Sequence, residues 1–257
     1  MILYFSGTGN TRHCALALAE ALGEVAHDIS PRASDGKSLR CDDARIVWMF
    51  PIYSWGVPPV VADIIGRIDI DGAAVVPHYM VATCGDDAGN ADRMWRSLMA
   101  SRGWRSRAAY TIQMPNTYVC MPGFDVDGDD VRRAKLAAVP SRIASVAQAV
   151  SRDCADMPPC DMVVRGRFAW LKTSLIYPWF KRNGVNPRRF AATNACVGCG
   201  MCTRRCPTVN IAVVDGKPRW GTKCAMCLAC YHCCPHHAVG YGRVTRGKGQ
   251  YHGPEQQ

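Results

Sequence analysis

The chain has 257 residues, 48% of them hydrophobic and 20% charged, with a formal net charge of +10. That length suits one large or two modest domains, and the apolar share is enough for a packed core, which excludes a wholly disordered chain. No uninterrupted apolar stretch is long enough for a transmembrane segment, and no recognisable motif turns the positive charge into an expectation of a nucleic-acid partner.

Residues 1–155 alternate strand-like and helix-like segments, the pattern of a parallel α/β sheet. The apolar run from Ile2 to Phe5 is the first strand, and residues 11–22, with Cys14, Leu18, Ala21 and Leu22 at helical spacing, the first helix. Glu24 to Ile29 suits a second strand, followed by a loop. The continuously apolar run from Ile46 to Phe50 predicts a strand covered on both faces. A helix over residues 57–68 follows, entered through Pro58 and Pro59. Strands over 79–83 and 110–114 flank a helix over 90–101, and an alanine-rich helix over 132–150 closes the unit.

Between the first strand and the first helix lies Ser6-Gly7-Thr8-Gly9-Asn10-Thr11. A strand, a small hydroxylated loop and a helix N-terminus cradle a phosphate with backbone N–H groups and the helix dipole. The loop lacks the lysine of a Walker sequence. Position 12 is Arg12, where a dinucleotide fingerprint needs its third glycine. Hydroxyls and an amide without a lysine favour a terminal phosphate monoester, such as that of FMN.

Residues 156–190 form a connector that holds Phe168-Ala169-Trp170-Leu171 and Ile176-Tyr177-Pro178-Trp179-Phe180 among arginines and lysines. Such a helix either packs between two domains or lies peripherally on a membrane surface. Residues 191–242 carry two matched runs. Cys196, Cys199, Cys202, Cys206 and Pro207 recur 28 residues later as Cys224, Cys227, Cys230, Cys234 and Pro235. Each is the C-x2-C-x2-C-x3-C-P pattern of [4Fe–4S] binding. Zinc usually draws its four ligands from two separated pairs, whereas three thiolates at steps of three can wrap a cubane corner by corner. The fourth cysteine of such a run serves the other cluster. One cluster would therefore take Cys196, Cys199, Cys202 and Cys234, and the second Cys224, Cys227, Cys230 and Cys206. Cys14, Cys41, Cys120, Cys154, Cys160 and Cys233 match no ligand run. Residues 243–257 are basic and poor in aliphatic side chains, either disordered or laid over the cluster region.

The Ser6–Thr11 loop resembles that of flavodoxins, doubly wound sheets that bind FMN at their topological switch point. Two further loops match in order: Pro51-Ile52-Tyr53-Ser54-Trp55-Gly56 after the third strand, and Thr83-Cys84-Gly85-Asp86 after the fourth. With the cysteine repeat behind it, the chain resembles bacterial proteins in which a flavodoxin domain is fused to a two-cluster ferredoxin. The resemblance implies a flavodoxin-like α/β domain followed by a small α+β ferredoxin domain. It implies FMN phosphate on Ser6, Gly7, Thr8, Gly9, Asn10 and Thr11. Tyr53 and Trp55 would offer aromatic faces, with Pro51, Gly56, Thr83, Cys84 and Gly85 beside the ring. Pro115-Asn116-Thr117-Tyr118 resembles a segment of the same family near the cofactor edge.

Two clusters at roughly −2 each and a phosphate near −2 would bring the loaded chain down to about +4. The chain shows no basic leader or cleavage site at its start, and its 15 cysteines suit a reducing cytoplasm. The expected function is electron transfer between one- and two-electron carriers, with redox partner proteins as donor and acceptor. The alternatives are an FMN-dependent reductase fed by its own clusters and a redox-sensing scaffold. No paired carboxylates or histidine–cysteine constellation is placed by motif over the flavin loops.

Overall fold

The computed structural model describes residues 1–34, 38–152 and 160–254. Cys154, the expected boundary after residue 155 and the last three residues of the tail lie outside the described residues. Seven strands come first: β1 (Ile2–Tyr4), β2 (Ala26–Asp28), β3 (Leu39–Arg40), β4 (Ile46–Pro51), β5 (Ile70–Asp71), β6 (His78–Cys84) and β7 (Ser106–Gln113). Five make one parallel sheet in the order β2-β1-β4-β6-β7, while β3 and β5 pair separately. Leaving that small pair aside, the order is the 2-1-3-4-5 of flavodoxin-like doubly wound sheets.

The central strands are buried on both faces, and alternate residues feed different layers. Leu3, Trp48, Phe50 and Met80 pack against α2 (Pro59–Arg67) and α3 (Ala91–Ser101) through Val61, Ile65 and Trp95. Ile2, Val47, Met49 and Val81 face the opposite way, onto α1 (Asn10–Leu22) and α4 (Asp129–Arg152) through Leu18, Ile143 and Val146. Pro59 sits in the first turn of α2, where its missing N–H costs nothing. Strand β7 begins four residues before the expected Tyr110 and ends at Gln113. Its polar start at Ser106 pairs with β6 through the ladder. Beyond β7, Met162 donates to the Ala109 carbonyl at 2.9 Å and accepts from Thr111 N–H at 3.0 Å, so the connector adds a bridge to the sheet edge.

The connector then winds as one helical segment over residues 169–184. It is α-helical in α5 (Ala169–Leu171) and α6 (Tyr177–Trp179) and π-wound at Lys172–Ile176 and Phe180–Gly184. Among the described residues no helix is long and apolar enough to cross a membrane.

The region after it is doubled in structure as in sequence. β8 (Phe190–Ala192), α7 (Met201–Arg205) and β9 (Ile211–Val214) make one unit, and β10 (Lys217–Trp220), α8 (Ala229–His232) and β11 (Val239–Tyr241) the next. The units embrace, β8 pairing with β11 and β9 with β10, all antiparallel. Backbone conformation repeats too: Gly198, Gly200 and Val209 have φ of 71, 71 and 50°, and Met226, Leu228 and His237, each 28 positions on, have 54, 61 and 48°. Up to Pro254 the tail lies across both parts. Tyr231 Oη donates to the Lys248 carbonyl at 3.0 Å, and Lys248 Nζ donates to the carbonyls of Val119, Met121 and Phe124 at 2.8, 2.5 and 2.6 Å.

Candidate functional site

Loops at the C-terminal edge of the parallel sheet converge on α1. Strand β1 delivers Ser6–Thr11, β4 delivers Pro51–Gly56, β6 delivers Thr83–Gly85, and β7 runs into Pro115–Tyr118. The hydroxyls of Thr11 and Thr83 share a hydrogen bond of 2.7 Å. Asn10 Nδ2 donates to the Pro115 carbonyl at 3.0 Å, and the N–H of Ile52 to the Thr83 carbonyl at 2.7 Å. Gly85 lies against Asn116, whose Oδ1 would be 3.3 Å from an added Cβ.

The first loop is furnished for an anion. Helix α1 starts after Gly9, at φ 102°, with no side-chain cap and no acidic residue in its first turn. Its leading N–H groups have no helical partner, and its dipole presents positive charge there. Ser6 Oγ is buried without a hydrogen-bond partner. A buried hydroxyl left unmatched beside an uncapped helix start is the donor set that a phosphate monoester would satisfy. Of the expected phosphate ligands, the Thr11 hydroxyl and the Asn10 amide bridge loops, Asn10 Oδ1 accepting from Tyr251 Oη at 2.7 Å.

Tyr53 and Gly56 exchange both backbone hydrogen bonds at 3.0 Å, closing a turn whose central residues, Ser54 and Trp55, have φ of 47 and 62°. Two non-glycine residues in the left-handed region form a strained turn, and such strain concentrates at functional sites. Trp55 is turned toward the connector. Lys172 Nζ lies 5.0 Å from its ring centroid while pairing with Asp87 at 2.6 Å. Thr173 Oγ1 donates to the Trp55 carbonyl at 2.8 Å, and Tyr177 packs on Gly56 while donating to the Val57 carbonyl at 2.6 Å. Tyr53 faces the other way, toward the second cysteine run. Burial, with Cys227 and Cys224 beside it, raises its pKa well above the ordinary phenol value. Cys84 is buried, and desolvation lifts its thiol to about 12, so it stays protonated at neutral pH.

The doubled region is pressed onto this edge. Gly7 lies so close to Cys227 that an added Cβ would stand 2.5 Å from Cys227 Cβ and 3.1 Å from its carbonyl oxygen. His232 Nε2 bonds the Thr117 carbonyl at 2.8 Å, Gly253 lies against the Thr8 carbonyl, and Arg32 donates to the carbonyls of Cys206 and Thr203 at 2.7 and 2.6 Å. Nothing in the composition of the tail announces Tyr251 or Lys248 as parts of this junction. Their partners are about 241 and 124–129 residues away.

Cys206, Cys224, Cys227 and Cys230 line one pocket together with Phe190 and Trp220. Burial raises the Cys202 pKa, and Cys234 lies close enough to add a smaller contribution of the same sign. The sulfurs receive backbone donors: Asn210 N–H reaches Cys206 Sγ at 3.3 Å, Ala238 N–H reaches Cys234 Sγ at 3.3 Å, and Met226 N–H reaches Cys224 Sγ at 3.4 Å. The first two are the same contact in the two units. Burial pushes the Cys227 thiol up to about 12 and that of Cys230 well above its ordinary value. Cys199 is exposed and Cys196 half-buried, so the first group opens to solvent more than the second. Among the described residues no three His, Cys, Asp or Glu side chains gather as a single metal ion would need. Of the cysteines outside the two runs, Cys120 is buried near Cys224, and Cys233 donates to the Cys230 carbonyl at 3.7 Å.

No family model matches the sequence, and no curated protein is detectably similar to it. Among solved structures, a candidate flavoprotein from Bacteroides uniformis is 19% identical over 44% of this chain and 88% of its own, with a TM-score of 0.37. The Trp repressor binding protein of Bacillus subtilis is 15% identical over 55% of this chain and 97% of its own, at 0.36. The rubredoxin oxygen:oxidoreductase of Desulfovibrio gigas is 15% identical over 59% of this chain and 36% of its own, at 0.33. The fold assignment rests on the strand order given above.

Proposed function

We propose that this chain is an electron-transfer protein in which a flavodoxin-like domain holding FMN is coupled to a two-[4Fe–4S] ferredoxin module. The observation that carries the reading is the contact of Gly7, in the anion-ready loop, with Cys227, in the cysteine-lined pocket. Ser6 and the start of α1 would hold the FMN phosphate. Cys224, Cys227, Cys230 and Cys206 would hold the cluster nearer the flavin, and Cys196, Cys199, Cys202 and Cys234 the outer one. Thiolates that each take a different corner of a cubane need not converge on one point, in contrast to the ligands of a single ion. When bound, FMN takes electrons in pairs or singly and each cluster takes one at a time.

The chain's own residues do the positioning. Arg32, Lys248, His232 and Tyr251 tie the doubled region to the sheet edge, and backbone N–H donors already point at the sulfurs of Cys206, Cys224 and Cys234. The exposure of Cys199 supports approach of a redox partner on the side of the outer group.

The anaerobically purified chain should hold about eight iron, eight sulfide and one FMN. Cys206→Ala should lose the cluster of Cys224, Cys227 and Cys230 and slow flavin reduction by a low-potential donor, followed by stopped-flow spectra. Stoichiometric zinc with little sulfide, release of FAD, or an unchanged flavin rate in a variant lacking one cluster would overturn the reading.

A further inference from the structure

The helical segment over residues 169–184 is apolar on both sides. Its inner face is committed: Tyr177 and Phe180 are buried, and Lys172 and Thr173 hold Asp87 and the Trp55 carbonyl. Its outer face should then be polar, and it is not. Phe168, Trp170, Leu171, Leu175 and Trp179 are 61, 65, 42, 57 and 52% exposed. Leu171, Leu175, Pro178, Trp179 and Arg182 are all exposed along the segment, while Tyr177 and Phe180 between them are buried. Large apolar residues exposed in one short stretch mark an interaction surface.

Charge identifies the partner. Between Asp161 and Asp215 the sequence has no acidic residue and nine basic ones, nearly all of the chain's net +10. Arg165 and Lys172 are spent on Asp92 and Asp87, while Lys181, Arg182 and Arg188 stand exposed at the end of the segment. A second copy docked on this face would set basic residues against basic residues. An anionic bilayer supplies both complements, phosphate for the cations and an interface in which tryptophan is at home.

We propose that residues 168–188 dock the chain on an anionic lipid surface. The segment lies in the interfacial plane, with Trp170, Leu171, Leu175 and Trp179 entering the acyl boundary and Lys181, Arg182 and Arg188 on headgroup phosphates. The inference is independent of the cofactor reading, since it uses only the outer face of the connector.

Flotation of the full chain, as purified, with lipid vesicles tests it. The chain should float with phosphatidylcholine vesicles containing about one-third phosphatidylglycerol, much less with phosphatidylcholine alone, and less as salt rises. The triple variant Trp170→Ser, Leu175→Ser, Trp179→Ser should stay at the bottom with an unchanged circular-dichroism spectrum. Lys181→Gln and Arg182→Gln should each lower the partition coefficient roughly fivefold. If the triple variant misfolds, this charge pair decides, because it touches no apolar residue. The proposal is overturned by failure of the wild-type chain to float with anionic vesicles, or by full flotation of a folded triple variant. Equal binding to phosphatidylcholine alone also overturns it, as does a concentration-dependent dimer that the triple variant abolishes, which would assign the face to a second copy.

Discussion

Replacing Gly7 by alanine puts one methyl group into the contact that joins the two parts of the molecule. The new Cβ would stand 2.5 Å from Cys227 Cβ, 3.1 Å from the Cys227 carbonyl oxygen and 3.3 Å from its Sγ. Ordinary carbon contacts lie near 3.5–4.0 Å, so loop and cysteine run would have to part by about 1 Å. One obstructing atom is backbone, so rotation of a side chain cannot relieve the clash. Gly7 is not among the glycines at positive φ, so alanine adds no backbone strain of its own. The whole effect is therefore the forced separation, an overpacking cost of about 1–3 kcal/mol. For a chain this size that lowers the thermal midpoint by roughly 2–12 °C. Thermal unfolding under anaerobic conditions reads the stability, flavin content after gel filtration reads the loop, and the flavin reduction rate reads the junction. The expected outcome is lower stability and slower reduction with iron content retained. A variant as stable and as fast as wild type would mean that the two parts are not pressed together in solution.

Two other substitutions separate local effects from this one. Gly66, inside α2 with open space around its missing Cβ, should gain about 0.5–1 kcal/mol when changed to alanine, read as a higher midpoint with unchanged cofactor content. His78 is buried in a stack with Trp48 and Trp104, accepting from Trp48 Nε1 at 2.9 Å on Nδ1, which leaves Nε2 to donate to the Ala73 carbonyl at 2.8 Å. Burial lowers its pKa below the ordinary 6.5, so its contribution is fully present above about pH 6.5 and is lost as pH falls through the folded value. The slope below pH 6.5 should be steeper in wild type than in His78→Gln by an amount approaching about 1.4 kcal/mol per pH unit, buried His232 contributing its own component to both proteins, and identical slopes would refute the assignment.

The sheet was legible because its central strands are buried on both faces and so read as apolar runs, β4 above all. The loop before α1 was legible because strand, glycine turn and helix leave a compact trace, and the doubled region because its cysteines and prolines keep one offset. The bridge at Met162 was not, since a single residue pairing beyond β7 carries no periodicity. Nor was the reach of the tail: the bonds of Lys248 to three carbonyls and of Tyr251 to Asn10 are tertiary, and basic, glycine-rich composition is equally compatible with disorder. The connector's apolar letters were plain, but which of them face outward depended on the helix phase, which the two π-wound turns displace.

The repeated left-handed positions show that the duplication is no longer symmetrical. In the first unit two of the three are Gly198 and Gly200, and Gly198 faces the Gly216 carbonyl so closely that an added Cβ would lie 2.8 Å from the oxygen. In the second unit those two are Met226 and Leu228, both buried, and both filling the core between the units and the connector. Two copies of the first half would leave holes where these side chains sit, and two copies of the second would drive a methionine into a carbonyl. The halves descend from one pattern yet have become obligate complements, each shaped to the other's surface, as in a heterodimer made permanent by a covalent link.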